Sequence, residues 1–272
     1  MTLLVRDEED VLEANLEHHF AQGVDFVIAT DNGSVDGTLD ILRAEERAGR
    51  LRLILEPEDT YAQHRWVTRM ARLAAADHGA DWVINNDADE FWWPRDGDLA
   101  STLAAVPDAV DVVVAQRHNF VARPGHDQPF HQRMTVRQAE PRQHPGLGDG
   151  PLPPKAAHRA DPEVTVLQGN HEVTGPLLGG SELDDGRIDI LHFPIRGYAH
   201  FANKIAKGGA AYARNAELPV EVGHQWRRLH AHQQDGTFDE AWAELVLTDA
   251  ELATGLAAGT LVEDTRLRDE LG

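Results

Sequence analysis

The chain has no cysteine among its 272 residues, which excludes disulfides and thiolate zinc sites. Lysine is almost missing too: Lys155, Lys204 and Lys207 are the only three, against 22 arginines. Positive charge is scarce overall, with 25 basic against 46 acidic residues and a net charge of −21. Such a chain is repelled by nucleic-acid phosphates and anionic membranes unless a basic patch is segregated, and the sequence contains no such patch. No run approaches the ~18 apolar residues of a membrane span. No charged-then-apolar leader opens the chain, which starts on a short apolar strand, Thr2 to Val5. These absences set the expectation of a soluble, cytoplasmic protein with no nucleic-acid partner and no integral membrane segment.

What is present is strand–helix alternation. Val11, Leu12, Asn15, Leu16, His19 and Phe20 recur at helical spacing, so residues 8–22 read as an amphipathic helix closed by Gly23. Phe26 to Ala29 reads as a strand running into Asp31-Asn32-Gly33-Ser34-Val35-Asp36-Gly37-Thr38, a turn rich in Asp, Asn and Gly. A second helix ends before Gly49, Leu51 to Leu55 is a third strand, and a helix over about 61–78 leads to the apolar run Trp82-Val83-Ile84. This pattern predicts an α/β sandwich with a mainly parallel sheet, where ligands bind beyond the carboxyl ends of the strands. At one such end stands Asp87-Ala88-Asp89-Glu90, followed by Phe91-Trp92-Trp93-Pro94, read as an aromatic wall. Carboxylates so close repel unless a cation or proton lies between them. Oxygen ligands of this kind suit Mg²⁺ or Mn²⁺ with substrate phosphates. The plainer reading of the acidic turn is a solvated one, and that of Asp31 is an Asx-turn capping the next helix.

Three motifs in order, Arg6-Asp7-Glu8, Asp31 to Thr38, and Asp87 to Phe91, make residues 1–95 resemble a family 2 type glycosyltransferase of the short, soluble bacterial branch. The resemblance implies a GT-A fold, a nucleoside-diphosphate-sugar donor and a divalent metal, Mn²⁺ or Mg²⁺. It places Asp31 at the donor's base or ribose, with Arg6 and Glu8 beside it. Asp89 falls on the metal–diphosphate and Asp87 nearer the ribose, also within reach of the metal. Many members carry Asn where this chain has Asp7. The strand from Ile188 ends at His192, with Arg196 and Lys204 downstream. This is similar to the late segment in which a histidine completes the metal site and basic residues such as Lys204 meet the leaving diphosphate. An inverting course requires a base for the hydroxyl proton of an unknown glycan, lipid-linked or small-molecule acceptor. Glu172 and His171 are the candidates because they follow a strand late in the domain, while Glu90 is expected to brace its turn.

Residues 117–163, rich in Pro, Gly and His, lack periodicity and read as a long loop or insertion that could grip an acceptor. Its histidines, among them His118, His126, His131 and His144, include no i, i+4 pair on a helix, so zinc is not expected. Residues 1–215 are expected to form the GT-A-like domain and 216–272 a helical extension packed on it. In that extension Thr248 to Glu251 forms a capping box, Gly255 and Gly259 break the helix, and Trp226 and Trp242 pack. Gly169-Asn170-His171-Glu172 also matches one motif of the binuclear metallophosphoesterases. The others fail: Gly148-Asp149 lacks its downstream Asp, and Gly223-His224 is followed by Gln225-Trp226. Two further classes stay open. A nucleotidyltransferase can share the fold, although the acidic Arg6 to Asp10 stands where a basic, glycine-rich loop belongs. A non-catalytic nucleotide- or carbohydrate-binding protein would keep nucleotide affinity without metal dependence.

Overall fold

The computed structural model describes residues 1–58, 62–123, 128–144, 146–148, 150–214 and 223–272. In chain order the elements begin β1 (Thr2–Val5), α1 (Leu12–Ala21), β2 (Val27–Asp31), α2 (Thr38–Arg47), β3 (Leu51–Leu55), α3 (Gln63–Ala76), β4 (Trp82–Asp87) and β5 (Glu90–Pro94). They continue with α4 (Leu99–Ala104), β6 (Val110–Asn119), α5 (Phe130–Arg133), β7 (Val136–Gln138), β8 (Lys155–Arg159), β9 (Thr165–Val166), β10 (Val173–Thr174), β11 (Ser181–Leu183) and β12 (Ile188–His192). The last are α6 (Tyr198–Arg214), α7 (His224–Gln234), α8 (Phe238–Leu245), α9 (Asp249–Ala258), β13 (Leu261–Glu263) and α10 (Arg266–Leu271).

Two compact units interleave along the chain. The first combines Met1–Pro57, Ala62–Arg117 and Pro153–Leu191. It is built on a sheet ordered β3-β2-β1-β4-β8-β6-β12-β5, with β11 added on β6. The strands β3, β2, β1 and β4 are mutually parallel, and β8 runs antiparallel to both β4 and β6. The fold class is therefore the mixed, mainly parallel α/β sheet flanked by helices that the alternation predicts. Strand order reverses at β1, which pairs Val5 with Asp31 on one side and Leu4 with Asp87 on the other. The ends of β2 and β4 thus flank the end of β1, about 10 Å apart across two strand spacings. On one face of the sheet α3 buries Trp66, Val67, Met70, Ala71 and Ala74, and most of that stripe packs on Ile28, Val83, Val164 and Val166. Each large apolar side chain so buried contributes about 1.5–3 kcal/mol. Phe91 and Trp92 are fully buried in β5. The stretch expected as an aromatic wall is instead a core strand: Phe91 and Trp92 are adjacent and so point to opposite faces of β5, and both are covered.

The second unit contains His118–Leu152 and His192–Gly272. Its core gathers Phe201, Ile205, Leu229, Phe238, Ala241 and Leu245, with Trp226 and Trp242 packed against them. The helical carboxyl-terminal region is present, and it shares this unit with the middle of the chain: β13 pairs antiparallel with β7. Residues 117–163, expected as one long loop, contain the end of β6 and all of α5, β7 and β8. These strands are short and pair with distant partners, so no local period betrays them. The capping box at Thr248 and Glu251 opens α9, and Gly259 closes it at φ 71. Gly255 does not break that helix. Its missing side chain admits Leu261, which an added Cβ would meet at 2.6 Å.

Two adjacent histidines of α1 are wholly buried. The His18 Nε2 hydrogen-bonds the Trp92 carbonyl at 2.9 Å. The His19 Nδ1 donates to the Asn15 carbonyl at 2.7 Å, while Nε2 accepts the Trp92 N–H at 3.3 Å. Burial, then the neighbouring His18, hold the His19 imidazole well below 6.5, so it stays neutral in the fold. The unfolded chain binds this proton first, so stability is full above pH 6.5 and falls as pH drops below it. Denaturant midpoints measured from pH 7.5 down to about 5 should therefore decline, and the decline should be smaller in His19→Gln.

Candidate active site

The end of β1 and the end of β2 are laced together. The Asp7 N–H donates to Ser34 Oγ at 3.0 Å, and Asp7 Oδ1 accepts the Val35 N–H at 2.8 Å. The Glu8 N–H donates to Thr38 Oγ1 at 2.8 Å, and Glu9 Oε2 accepts the Gly37 N–H at 2.6 Å. Asp7 sits at φ 55, a region Asn and Asp tolerate better than other side chains. An Asn could supply the same Oδ1 acceptor. In Asp31, Oδ2 accepts from Gly33 and Ser34 N–H at 3.1 and 3.2 Å, the expected Asx-turn. Its Oδ1 is buried and accepts no hydrogen bond from the described residues.

The acidic turn is braced from α1. Asn15, fully buried, donates to the carbonyls of Ala88 at 2.9 Å and Glu90 at 2.7 Å, and accepts from Asn86 Nδ2 at 3.2 Å. The side chains of the turn meet two cations. The Lys155 Nζ, fully buried on β8, lies 2.5 Å from Asp87 Oδ2 and 3.3 Å from Glu90 Oε2. The Arg117 Nη1, on β6, lies 3.2 Å from Glu90 Oε1. Burial pushes the Glu90 carboxyl up to about 7 against the pull of Lys155 and Arg117, with Asp87 and Asp89 adding to the rise. Glu90 braces its turn, as expected. Lys155 and Arg117 are not among the site residues that the sequence points to. The available signal is one of only three lysines, placed inside a segment without periodicity.

Behind the turn, Asn170 Nδ2 donates to Asp87 Oδ1 at 3.1 Å. His171 Nδ1 donates to the Pro154 carbonyl at 2.8 Å, which leaves the lone pair on Nε2. Burial, then Lys155 and Arg117, lower the His171 imidazole to about 4, so it is neutral at pH 7. Glu172 is exposed.

Arg6, Glu8, Asp31, Asp87, Asp89, His171 and Glu172 thus all belong to the first unit, and Asp87 is tied directly to the turn that carries His171. His192 and Lys204 belong to the second unit. There His192 Nδ1 bonds Asn119 Oδ1 at 2.6 Å, and Lys204 is half-buried on α6. His126 and Asp149 lie outside the described residues. The acidic turn offers oxygen donors only, which fits a hard divalent cation through Asp89. Both oxygens of Asp87 already accept from protein donors, Oδ2 from Lys155 and Oδ1 from Asn170.

Glycosyl transferase family 2 matches residues 3–159, more than half of the chain, and the chain belongs to that family of glycosyltransferases. Solved structures resemble it at low identity. The S. aureus TarS 1–349 structure in complex with UDP-GlcNAc shares 14% identity at a TM-score of 0.47, covering 94% of this chain and 74% of that one. The GalNAc-T7 structure with UDP, GalNAc and Mn²⁺ shares 13% at 0.40, covering 99% and 56%. No curated protein matches the chain. Among the described residues no helix is long and apolar enough to cross a membrane.

Asn15→Ala would leave two buried carbonyls and one amide group without partners. It should cost about 2–4 kcal/mol in urea unfolding.

Proposed function

We propose that this glycosyltransferase moves a sugar from a nucleoside-diphosphate sugar to an acceptor hydroxyl with inversion, assisted by Mg²⁺ or Mn²⁺ at Asp89. The observation that carries this reading is the convergence of Asp31 and the Asp87–Glu90 turn on either side of the β1 end, where strand order reverses. Such a switch point opens a crevice beyond the strand ends. Asp31 supports a preference among bases. Its buried Oδ1 has no donor among the described residues, and a buried acceptor left unpaired is costly. Uracil, thymine and guanine present a ring N–H that satisfies it, whereas adenine and cytosine present a lone pair at the equivalent nitrogen. Arg6 and Glu8 stand on the adjoining β1 segment and complete the donor's nucleoside side.

In the transfer, the acceptor oxygen forms a bond to the anomeric carbon. The bond to the diphosphate breaks, and its electron pair leaves with the nucleoside diphosphate. A bound divalent cation supplies neutralisation of the charge on that leaving group. The hydroxyl proton passes to His171 Nε2, neutral and unprotonated at pH 7, or to the Glu172 carboxylate.

Calorimetric titration tests the donor site. UDP, GDP or dTDP should bind in the presence of Mn²⁺, while ADP and CDP should not. Asp31→Ala should weaken binding about 10- to 100-fold, from the ~1.5–3 kcal/mol of a hydrogen bond to a charged group. Asp89→Ala should remove the Mn²⁺ requirement along with the affinity it confers, in a protein that stays folded. Binding of ADP as tight as that of UDP would overturn the base assignment, and a folded Asp89→Ala with normal Mn²⁺-dependent affinity would overturn the metal assignment. If His171 takes the proton, turnover should show no acid limb from it above about pH 5, since the imidazole titrates at about 4.

A further inference from the structure

Asp87 joins the acidic turn to three other parts of the first unit. Lys155 holds its Oδ2 from β8 at 2.5 Å, and Asn170 holds its Oδ1 at 3.1 Å from the turn Gln168–Asn170, with Gln63 Nε2 of α3 at 3.5 Å. Gly169 and Asn170 adopt φ 83 and φ 60 in succession, a left-handed pair that glycine and asparagine take more readily than other residues. Backbone hydrogen bonds close the turn locally, from the Asn170 N–H to the Leu167 carbonyl at 3.1 Å and from the Leu167 N–H to the Glu172 carbonyl at 2.9 Å. Side chains tie it to the rest of the unit. The Gln63 Oε1 accepts from Gln168 Nε2 at 3.2 Å and from the Gly169 N–H at 3.3 Å. Asn170 reaches Asp87, and His171 bonds the carbonyl of Pro154, the residue that precedes Lys155. The turn is therefore suspended between Asp87 on one side and the start of β8 on the other.

We propose that Lys155 is a positioning residue. By fixing Asp87 it anchors the Gln168–His171 turn, and so sets where the His171 imidazole stands relative to the acidic turn. Lys155 is fully buried, so it acts through Asp87 and touches no ligand. The residue type fits the task. An ammonium is a compact charge with three donors and can bond two carboxylates at once, whereas the planar guanidinium of arginine needs more room. This accounts for a lysine at this position in a chain with 22 arginines and three lysines. The catalytic purpose assigned to the anchor rests on the donor-site reading above, while the anchoring itself does not.

Hydrogen exchange read by mass spectrometry on the full chain tests the anchor directly. In Lys155→Met, amides of residues 167–173 should exchange at least about tenfold faster, as local opening predicts, with β1 and β2 unchanged. Asp87→Asn is the second variant. Its side chain is 30% exposed, it keeps the shape of the residue, and it should loosen the same segment even if Lys155→Met fails to fold. Unchanged protection of 167–173 in either folded variant overturns the proposal. A kinetic arm separates positioning from mere stabilisation. Nucleotide release from UDP-glucose, GDP-mannose or dTDP-glucose, with water as acceptor, should show kcat reduced more than about tenfold in Lys155→Met and KM changed less than about threefold. A raised KM with kcat preserved would instead place Lys155 in donor binding and overturn the proposal. If the wild-type protein neither binds nucleotides nor turns over any of these sugars, the donor-site reading fails, and the exchange result still decides the role of Lys155.

Discussion

Burying charge inside a sheet is costly unless each charge meets its opposite, and the first unit of this protein is organised around one such exchange. Asp87 and Glu90 meet Lys155 and Arg117 within a space closed by β4, β5, β6 and β8. Removing one partner from a buried pair of this kind typically costs about 3–5 kcal/mol, because the other charge is left stranded. The acidic turn can exist at the end of β4 because two cations from the middle of the chain arrive beneath it. Its negative charge is thereby partly offset within the protein.

The same contacts explain how a loop-rich site is kept rigid. Asn15 satisfies the carbonyls of the acidic turn from α1. The β1 and β2 ends exchange hydrogen bonds between Asp7, Glu8, Glu9 and the residues from Ser34 to Thr38. Asn170 ties the His171 turn to Asp87. Each loop is held by side chains of another. A net charge of −21 would oppose an anionic donor at long range. Lys155 and Arg117, by cancelling charge locally, lessen that repulsion where the diphosphate is proposed to lie.

Much of the first unit was legible because its signals are local. The alternation through residue 90 has the periods of strands and helices, and Gly23 and Gly49 mark where two helices give way. Asp31 and the Asp87–Glu90 turn are recognisable because their residues are contiguous. The double role of Asp31, cap on one oxygen and open acceptor on the other, needed the hydrogen bonds themselves. The aromatic run after Glu90 does not declare itself a core strand, because burial depends on what covers a strand and that information is not in the run. Gly255 is ambiguous for a similar reason: whether a glycine ends a helix or admits a neighbour depends on Leu261, which follows the helix and folds back against it.

The sequence by itself determined the parallel α/β order, the two acidic turns, the absence of thiol chemistry and the family. These depend on local periodicity, on contiguous motifs and on composition. Only the tertiary structure decided that Lys155 and Arg117 belong to the site, that Asp87 is engaged by protein donors, and that the segment 117–163 supplies strands. Lys155 is 68 residues from Asp87 along the chain. Strand pairing between β4 and β8 is what brings a buried ammonium to a carboxylate over that separation, and no period or motif in either segment records it.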